Sequence, residues 1–212
     1  MNPLLRSLYN RLQLEKSIHI PDFYINEIGD AFLVVTYGYF KITELSSKFH
    51  WGVYSITQDK FIHTEHITDS TGSGNIGEPI VKDGKAYIGI GNSLFCYDIE
   101  SGSQLWKVWI EGKIGFTGYI VEDGKVYCGS EGLDPKLYSI DSETGQVLWT
   151  TSTAGTSGLM SYRNGTIYFT GGGFLHVIDG ANGQYIGKYE APYNHENSNL
   201  FFSRATSLDP VT

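Results

Sequence analysis

Ser139-Ile140-Asp141-Ser142-Glu143-Thr144-Gly145-Gln146-Val147-Leu148-Trp149 has close copies on both sides of it in the chain. Upstream stands Tyr97-Asp98-Ile99-Glu100-Ser101-Gly102-Ser103-Gln104-Leu105-Trp106, and downstream Val177-Ile178-Asp179-Gly180-Ala181-Asn182-Gly183-Gln184-Tyr185-Ile186. The aspartates at 98, 141 and 179 are 43 and 38 residues apart. That period marks a repeat architecture and, with strand-like patterning, a propeller of four-stranded blades. Each copy reads as a hairpin: an apolar strand ending at Asp, a short polar turn, then a second strand. The glycine four residues after each Asp (Gly102, Gly145, Gly183) suits a turn position with positive φ, which costs least without a Cβ. The carboxylates of Asp98, Asp141 and Asp179 are expected to accept backbone N–H groups of the turns that follow them. Trp106 and Trp149 end their copies with flat apolar surfaces able to pack between neighbouring blades. Gly187 replaces the Trp in the third copy, so that contact is expected to be lost or rebuilt there.

A second repeated element precedes the first. Ile80-Val81-Lys82-Asp83-Gly84-Lys85-Ala86-Tyr87-Ile88-Gly89 matches Ile120-Val121-Glu122-Asp123-Gly124-Lys125-Val126-Tyr127-Cys128-Gly129 and, more loosely, Ser161-Tyr162-Arg163-Asn164-Gly165-Thr166-Ile167-Tyr168-Phe169-Thr170. Asp-Gly or Asn-Gly between strand-like runs signals a tight hairpin. Two hairpins in series give four strands per unit. The fold expected is therefore all-β, a β-propeller of four-stranded antiparallel blades, with clear units at 77–110, 115–150 and 157–190.

Residues 23–67 read as a degenerate first blade, with strands near 23–28, 31–36, 51–56 and 61–67 and an irregular insertion over 37–50. Residues 1–22 read as an arm or short helix, and 69–75 as a Gly-rich crossing that lacks the Lys and following helix of a phosphate cradle. The tail, Ser207-Leu208-Asp209-Pro210-Val211-Thr212, resembles the opening of another copy, so 191–212 are expected to be the start of a further repeat or a tail. Three clear blades and one degenerate blade make an open arc whose strand edges and apolar faces need covering. The expectation is a truncated piece of a longer propeller, or a partial one completed by a partner or a second copy.

The Tyr-x-Gly, Leu-Tyr/Phe-x-x-Asp and Asp-x-x-Thr/Ser-Gly-x-x-Leu-Trp pattern over Gly77 to Tyr189 resembles the pyrroloquinoline-quinone-type propeller repeat superfamily. That superfamily includes quinoprotein alcohol dehydrogenases and also non-enzymatic propellers such as an outer-membrane assembly lipoprotein. The resemblance implies that an enzyme of this kind would hold a central cation with Glu, Asn and Asp side chains, use a catalytic Asp, and often carry a vicinal disulfide. No Cys-Cys pair occurs, and those acidic ligands map onto no position of this chain. No cofactor is expected, and a fold of this kind hosts many functions.

Composition narrows the partners. The formal net charge is −8 with no Lys/Arg cluster, which argues against nucleic acid and anionic membrane surfaces. No run of about 18 apolar residues is present, so no membrane insertion is expected. The N-terminus lacks an apolar h-region and a small-residue cleavage site; a cytoplasmic location is expected, or a periplasmic one if the chain is truncated. Cys96 and Cys128 read as buried thiols acting as small hydrophobes. His63 and His66 lie three apart on a strand and point to opposite faces, so they read as solvent or edge histidines rather than a metal site. His19, His50, His176 and His195 are scattered, and no Gly-x-Ser-x-Gly elbow occurs.

Ligands of a propeller meet the loops joining strand four to the next strand one and strand two to strand three. Those loops carry Asn92, Glu111, Lys113, Glu131, Asp134, Lys136 and 171–173, with Thr117 and Ser157 on inner strands near the axis. Loops held by a rigid sheet are where binding residues concentrate. The function expected is a non-catalytic binding or scaffold propeller for a protein partner or for self-association. Two alternatives stay open: a fragment of a quinoprotein-like dehydrogenase, and an outer-membrane assembly-type propeller without its signal.

Overall fold

Tight turns punctuate the chain where Asp-Gly and Asn-Gly stand. Asp83, Asp123 and Asn164 take φ of 51°, 49° and 49°, and the glycines that follow them take 73°, 69° and 78°. Two successive positive φ values make the turn whose twist matches that of the flanking strands. The computed structural model describes residues 22–41, 46–69, 77–114, 118–153, 160–171 and 174–190. The expectations for 1–21, 70–76 and 191–212, and those for Thr117, Ser157, Gly172 and Gly173, lie outside these residues.

The described residues form four antiparallel sheets, each of four strands in sequence order. The first contains β1 (Asp22–Ile25), β2 (Ala31–Lys41), β3 (Ser46–Ser55) and β4 (Lys60–Asp69). The second contains β5 (Ile80–Lys82), β6 (Lys85–Ile90), β7 (Ser93–Asp98) and β8 (Gln104–Trp109). The third contains β9 (Tyr119–Glu122), β10 (Lys125–Gly129), β11 (Lys136–Asp141) and β12 (Val147–Ser152). The fourth contains β13 (Ser161–Arg163), β14 (Thr166–Gly171), β15 (Phe174–Asp179) and β16 (Tyr185–Glu190). The inner strands β1, β5, β9 and β13 neighbour one another in succession. The sheets are thus blades around a common axis, the degenerate first unit included.

One expectation for that first blade is corrected. Residues 37–41 and 46–50 are not an irregular insertion: β2 and β3 stay paired from Phe32↔Ser55 out to Lys41↔Ser46. The aromatic and β-branched residues of this segment favour an extended hairpin.

Each central strand is buried on both faces, so its apolar residues run nearly without interruption. In β6, Ala86, Ile88 and Ile90 pack with Phe32, Val34, Phe49, Trp51 and Val53 of the first blade. Tyr87, between them, packs with Tyr119, Val121, Val126, Cys128 and Ile140 of the third. The third and fourth blades meet through Tyr127 and Leu137 against Met160, Ile167, Phe169 and Ile178. The core of the described residues is therefore three inter-blade layers and a smaller cluster of Leu33, Val35 and Tyr54 within the first blade, and each blade depends on its neighbours, as in quasi-one-dimensional repeat proteins.

Cys96 and Cys128 are free and fully buried in the layer between the second and third blades. Burial pushes both thiols up to about 12, so neither forms a reactive thiolate near neutrality. Ellman's reagent is expected to label no thiol in the native protein and both after denaturation. Labelling of either in native conditions would show that this layer opens.

Candidate functional site

The repeat motif is spent on structure. Asp141 accepts Thr144 N and Thr144 Oγ1 at 2.8 Å each, and Glu143 N at 3.1 Å. The Thr144 hydroxyl first, then its amide, hold the Asp141 carboxyl below the usual range. Asp98 accepts Ser101 N at 2.8 Å and Ser101 Oγ at 2.6 Å, and Asp179 accepts Ala181 N at 2.8 Å. In all three turns the glycine N–H donates back to the Asp carbonyl, from Gly102, Gly145 and Gly183.

These glycines have a second role that turn chemistry alone does not reveal. A Cβ on Gly145 would lie 2.8 Å from Trp106 Cδ2, and one on Gly183 would lie 2.6 Å from Trp149 Cε3. Each Trp therefore rests on the bare glycine of the next blade's turn. Its indole N–H donates into the same turn, Trp106 to Ser142 O at 3.0 Å and Trp149 to Gly180 O at 3.3 Å. We call this contact the clasp.

The first junction has the clasp in altered residues. His63, eight residues after Ser55 as Trp106 is after Asp98, covers Gly102, whose Cβ would fall 2.2 Å from its Nδ1. Ser55 Oγ accepts Gln58 N at 3.1 Å, in the place of the aspartate. The reading of His63 as a solvent or edge residue is corrected: it is half-buried between blades, 4.8 Å from the Trp51 ring. His66 is exposed, as read. The signal available in the sequence was spacing rather than residue type.

The loop residues singled out above converge on one rim. Asn92 O accepts Ile110 N at 2.7 Å, where the second blade's outer strand ends. Lys113 and Glu131 form a backbone bridge, with N–H···O distances of 2.9 and 2.8 Å in the two directions. Lys136 Nζ donates to Glu111 at 2.6 Å and to Asp134 at 3.0 Å. Those bonds, Glu111's first, raise its pKa. Burial raises the Glu131 carboxyl, against the opposing charge of Lys113. On this rim Lys136 pairs with Glu111 and Asp134 through side chains, while Asn92, Lys113 and Glu131 are tied in through backbone bonds.

Composition and motif pass over two apolar residues on the same rim. Leu133 is fully exposed at the tip of the loop between β10 and β11, and Trp109 is 65% exposed at the end of β8. Strand parity reveals Trp109: Trp106 and Val108 face the third blade, so Trp109 faces away from it. Elsewhere, a shallow open groove of about 430 Å³ lies between Ser152, Thr153 and the β16 residues Tyr185 to Lys188. At its edge His176 is buried, held by Tyr185 Oη and Gly171 O at 3.0 Å each. Burial lowers its pKa, so it is a neutral structural imidazole. Among the described residues no group of three or more His, Cys, Asp or Glu side chains is placed to hold a metal ion, and no helix is long and apolar enough to cross a membrane.

Comparison with known proteins agrees with this architecture. The quinoprotein alcohol dehydrogenase PedH of Pseudomonas putida is 28% identical over 140 residues, which are 63% of this chain and 23% of that protein. Among solved structures, BamB from Moraxella catarrhalis superposes with a TM-score of 0.59 at 16% identity, over 80% of this chain and 52% of that one. A europium-containing methanol dehydrogenase gives 0.62 at 12% identity, over 82% and 44%. A quinohemoprotein alcohol dehydrogenase, ADHIIG from Pseudomonas putida HK5, gives 0.59 at 15% identity, over 82% and 36%. The chain thus spans about a quarter of the curated relative and about half or less of these structures. The model of the outer membrane protein assembly factor BamB family matches residues 51–212, and with three of the four blades wholly inside that match, the chain belongs to this family.

Proposed function

We propose that this chain is a non-catalytic scaffold that binds a protein partner through its loop rim, as part of outer membrane protein assembly. The observation that carries the reading is that exposed Leu133 and Trp109 lie on the same rim as the Glu111–Lys136–Asp134 ion pairs and the Lys113–Glu131 backbone bridge. An aromatic anchor such as Trp inside a polar rim is what a protein interface uses. Covering even paired charges costs desolvation, so the exposed apolar side chains would supply the favourable part of the contact. The aspartates of the repeat are engaged with turn amides, which leaves them poorly placed for proton transfer. On this reading the chain works at the outer membrane rather than in the cytoplasm.

A photo-crosslinking residue at position 109 is expected to give one discrete adduct in cells that is lost in L133D, and the same residue at position 133 is expected to give the same adduct. The same residue at position 143, on the opposite rim, is expected to give none. Equal crosslinking from all three positions would sink the rim assignment. A second reading, part of a quinoprotein dehydrogenase, draws on the 28% identity to PedH. Saturable binding of pyrroloquinoline quinone with calcium, together with alcohol-dependent dye reduction, would favour it over the scaffold.

A further inference from the structure

His176 is fully buried on β15 of the fourth blade, stacked on Phe169 with ring centroids 4.7 Å apart and planes 3° from parallel. Its Nε2 stands 3.0 Å from Gly171 O and its Nδ1 3.0 Å from Tyr185 Oη. A carbonyl only accepts, so Nε2 carries the hydrogen, and the lone pair of Nδ1 takes the hydroxyl hydrogen of Tyr185. Tyr185 Oη also lies 3.4 Å from Ser152 O, at the end of β12 in the third blade. That is long for a hydroxyl bond, as fits an oxygen whose single hydrogen is given to the imidazole. Tyr185 is 42% exposed and lines the open groove, so it joins a buried ring to solvent.

Adding a proton to this ring reverses the chain of bonds. Both nitrogens become donors: Nε2 keeps Gly171 O, Nδ1–H donates to Tyr185 Oη, and the hydroxyl hydrogen turns to Ser152 O with no covalent bond of Tyr185 broken. We propose that His176, Tyr185 and Ser152 O form a proton-operated relay, which carries the charge state of the fourth blade's buried imidazole to the edge of the third blade. The charged groups around the ring are Lys188, directly across on β16, and Glu190, across from Phe174; Lys188 Nζ sits over the Phe174 ring at 4.0 Å. On the other side β14 presents the apolar Phe169. On the third blade Tyr127 Oη donates to Gly180 O, and Lys136, opposite Ser152, is paired with Glu111 and Asp134. Burial, opposed by Gly171 O and reinforced by Lys188, lowers the imidazole pKa. The neutral ring's contribution to stability is therefore complete above the ordinary value of 6.5 and is lost as pH falls through the lower folded value. The relay is separate from the loop rim, and its failure would leave the scaffold reading untouched.

The test is a pH titration of the purified, isotope-labelled chain, followed by nuclear magnetic resonance of the His176 ring and the Ser152 carbonyl carbon. The expected result is a His176 midpoint below 6.5, with the Ser152 carbon shifting at that same midpoint. Y185F, which alters a partly exposed ring, is expected to lose the Ser152 response while His176 still titrates; circular dichroism checks that this variant is folded. A Ser152 carbon that stays still while His176 titrates overturns the proposal. So does a Ser152 response that persists in Y185F, which would be the bare field of the imidazolium, and so does a His176 ring that takes up no proton before acid unfolding.

Discussion

Trp106→Ala is expected to destabilise the protein by about 3–5 kcal/mol, the range for removing a large aromatic side chain from a core. The indole is 7% exposed and packs in the layer between the second and third blades, beside Tyr87 at 5.9 Å between ring centroids. Its truncation leaves a cavity and removes the donor to Ser142 O, at a residue that is itself 5% exposed. Because the blades are coupled chiefly to their neighbours, the loss falls on one junction and is expected to broaden the unfolding transition as well as shift it. Urea unfolding followed by circular dichroism measures both effects. Trp109→Ala is the control: the same chemistry at a side chain 65% exposed is expected to change stability by less than about 0.5 kcal/mol. Similar shifts in the two variants would mean that the clasp does not couple the blades.

The same clasp shows which parts of the fold were legible. The Asp-to-Gly turn and the Asp-Gly hairpins could be read because their chemistry is local: positive φ and carboxylate-to-amide bonds lie within a few residues. Blade number and strand order followed from period. The partner of each Trp was not legible, since Trp106 meets Gly145 across 39 positions, and nothing in either residue names the other. The first blade looked degenerate for a related reason. Ser55, Asp59 and His63 keep the offsets of Asp98, Gly102 and Trp106 while changing residue type, and Asp59 keeps a positive φ of 51° without being glycine. Spacing is conserved in that copy more faithfully than chemistry.

The candidate rim was legible in part. Choosing loop positions from topology gathered Asn92, Glu111, Lys113, Glu131, Asp134 and Lys136 onto one surface, because strand alternation fixes which loops share a rim. What topology could not supply was the state of the charges. Lys136 lies between Glu111 and Asp134, so three of the residues most visible in sequence bind one another. The exposed apolar side chains of this rim are Leu133 and Trp109, which a search for polar chemistry passes by.

Gly145→Ala is expected to cost about 2–5 kcal/mol, from two separable causes. The first is conformational: Gly145 has φ +72°, and a Cβ in that region costs about 1–2 kcal/mol. The second is steric, since the new methyl would stand 2.8 Å from Trp106 Cδ2 and 2.9 Å from Cγ. The indole is pinned by its bond to Ser142 and cannot retreat freely, so overpacking adds about 1–3 kcal/mol. Gly124→Ala separates the two, because Gly124 has φ +69° with nothing within 4 Å of its Cβ position. It is expected to show the conformational cost alone. In a Trp106→Ala background the steric part has no partner, so Gly145→Ala should fall to the cost of Gly124→Ala, and the cycle gives the coupling directly. Equal costs for Gly145→Ala with and without the indole would show that the glycine is there for its backbone only, and that the blades are joined by their apolar layers without a clasp.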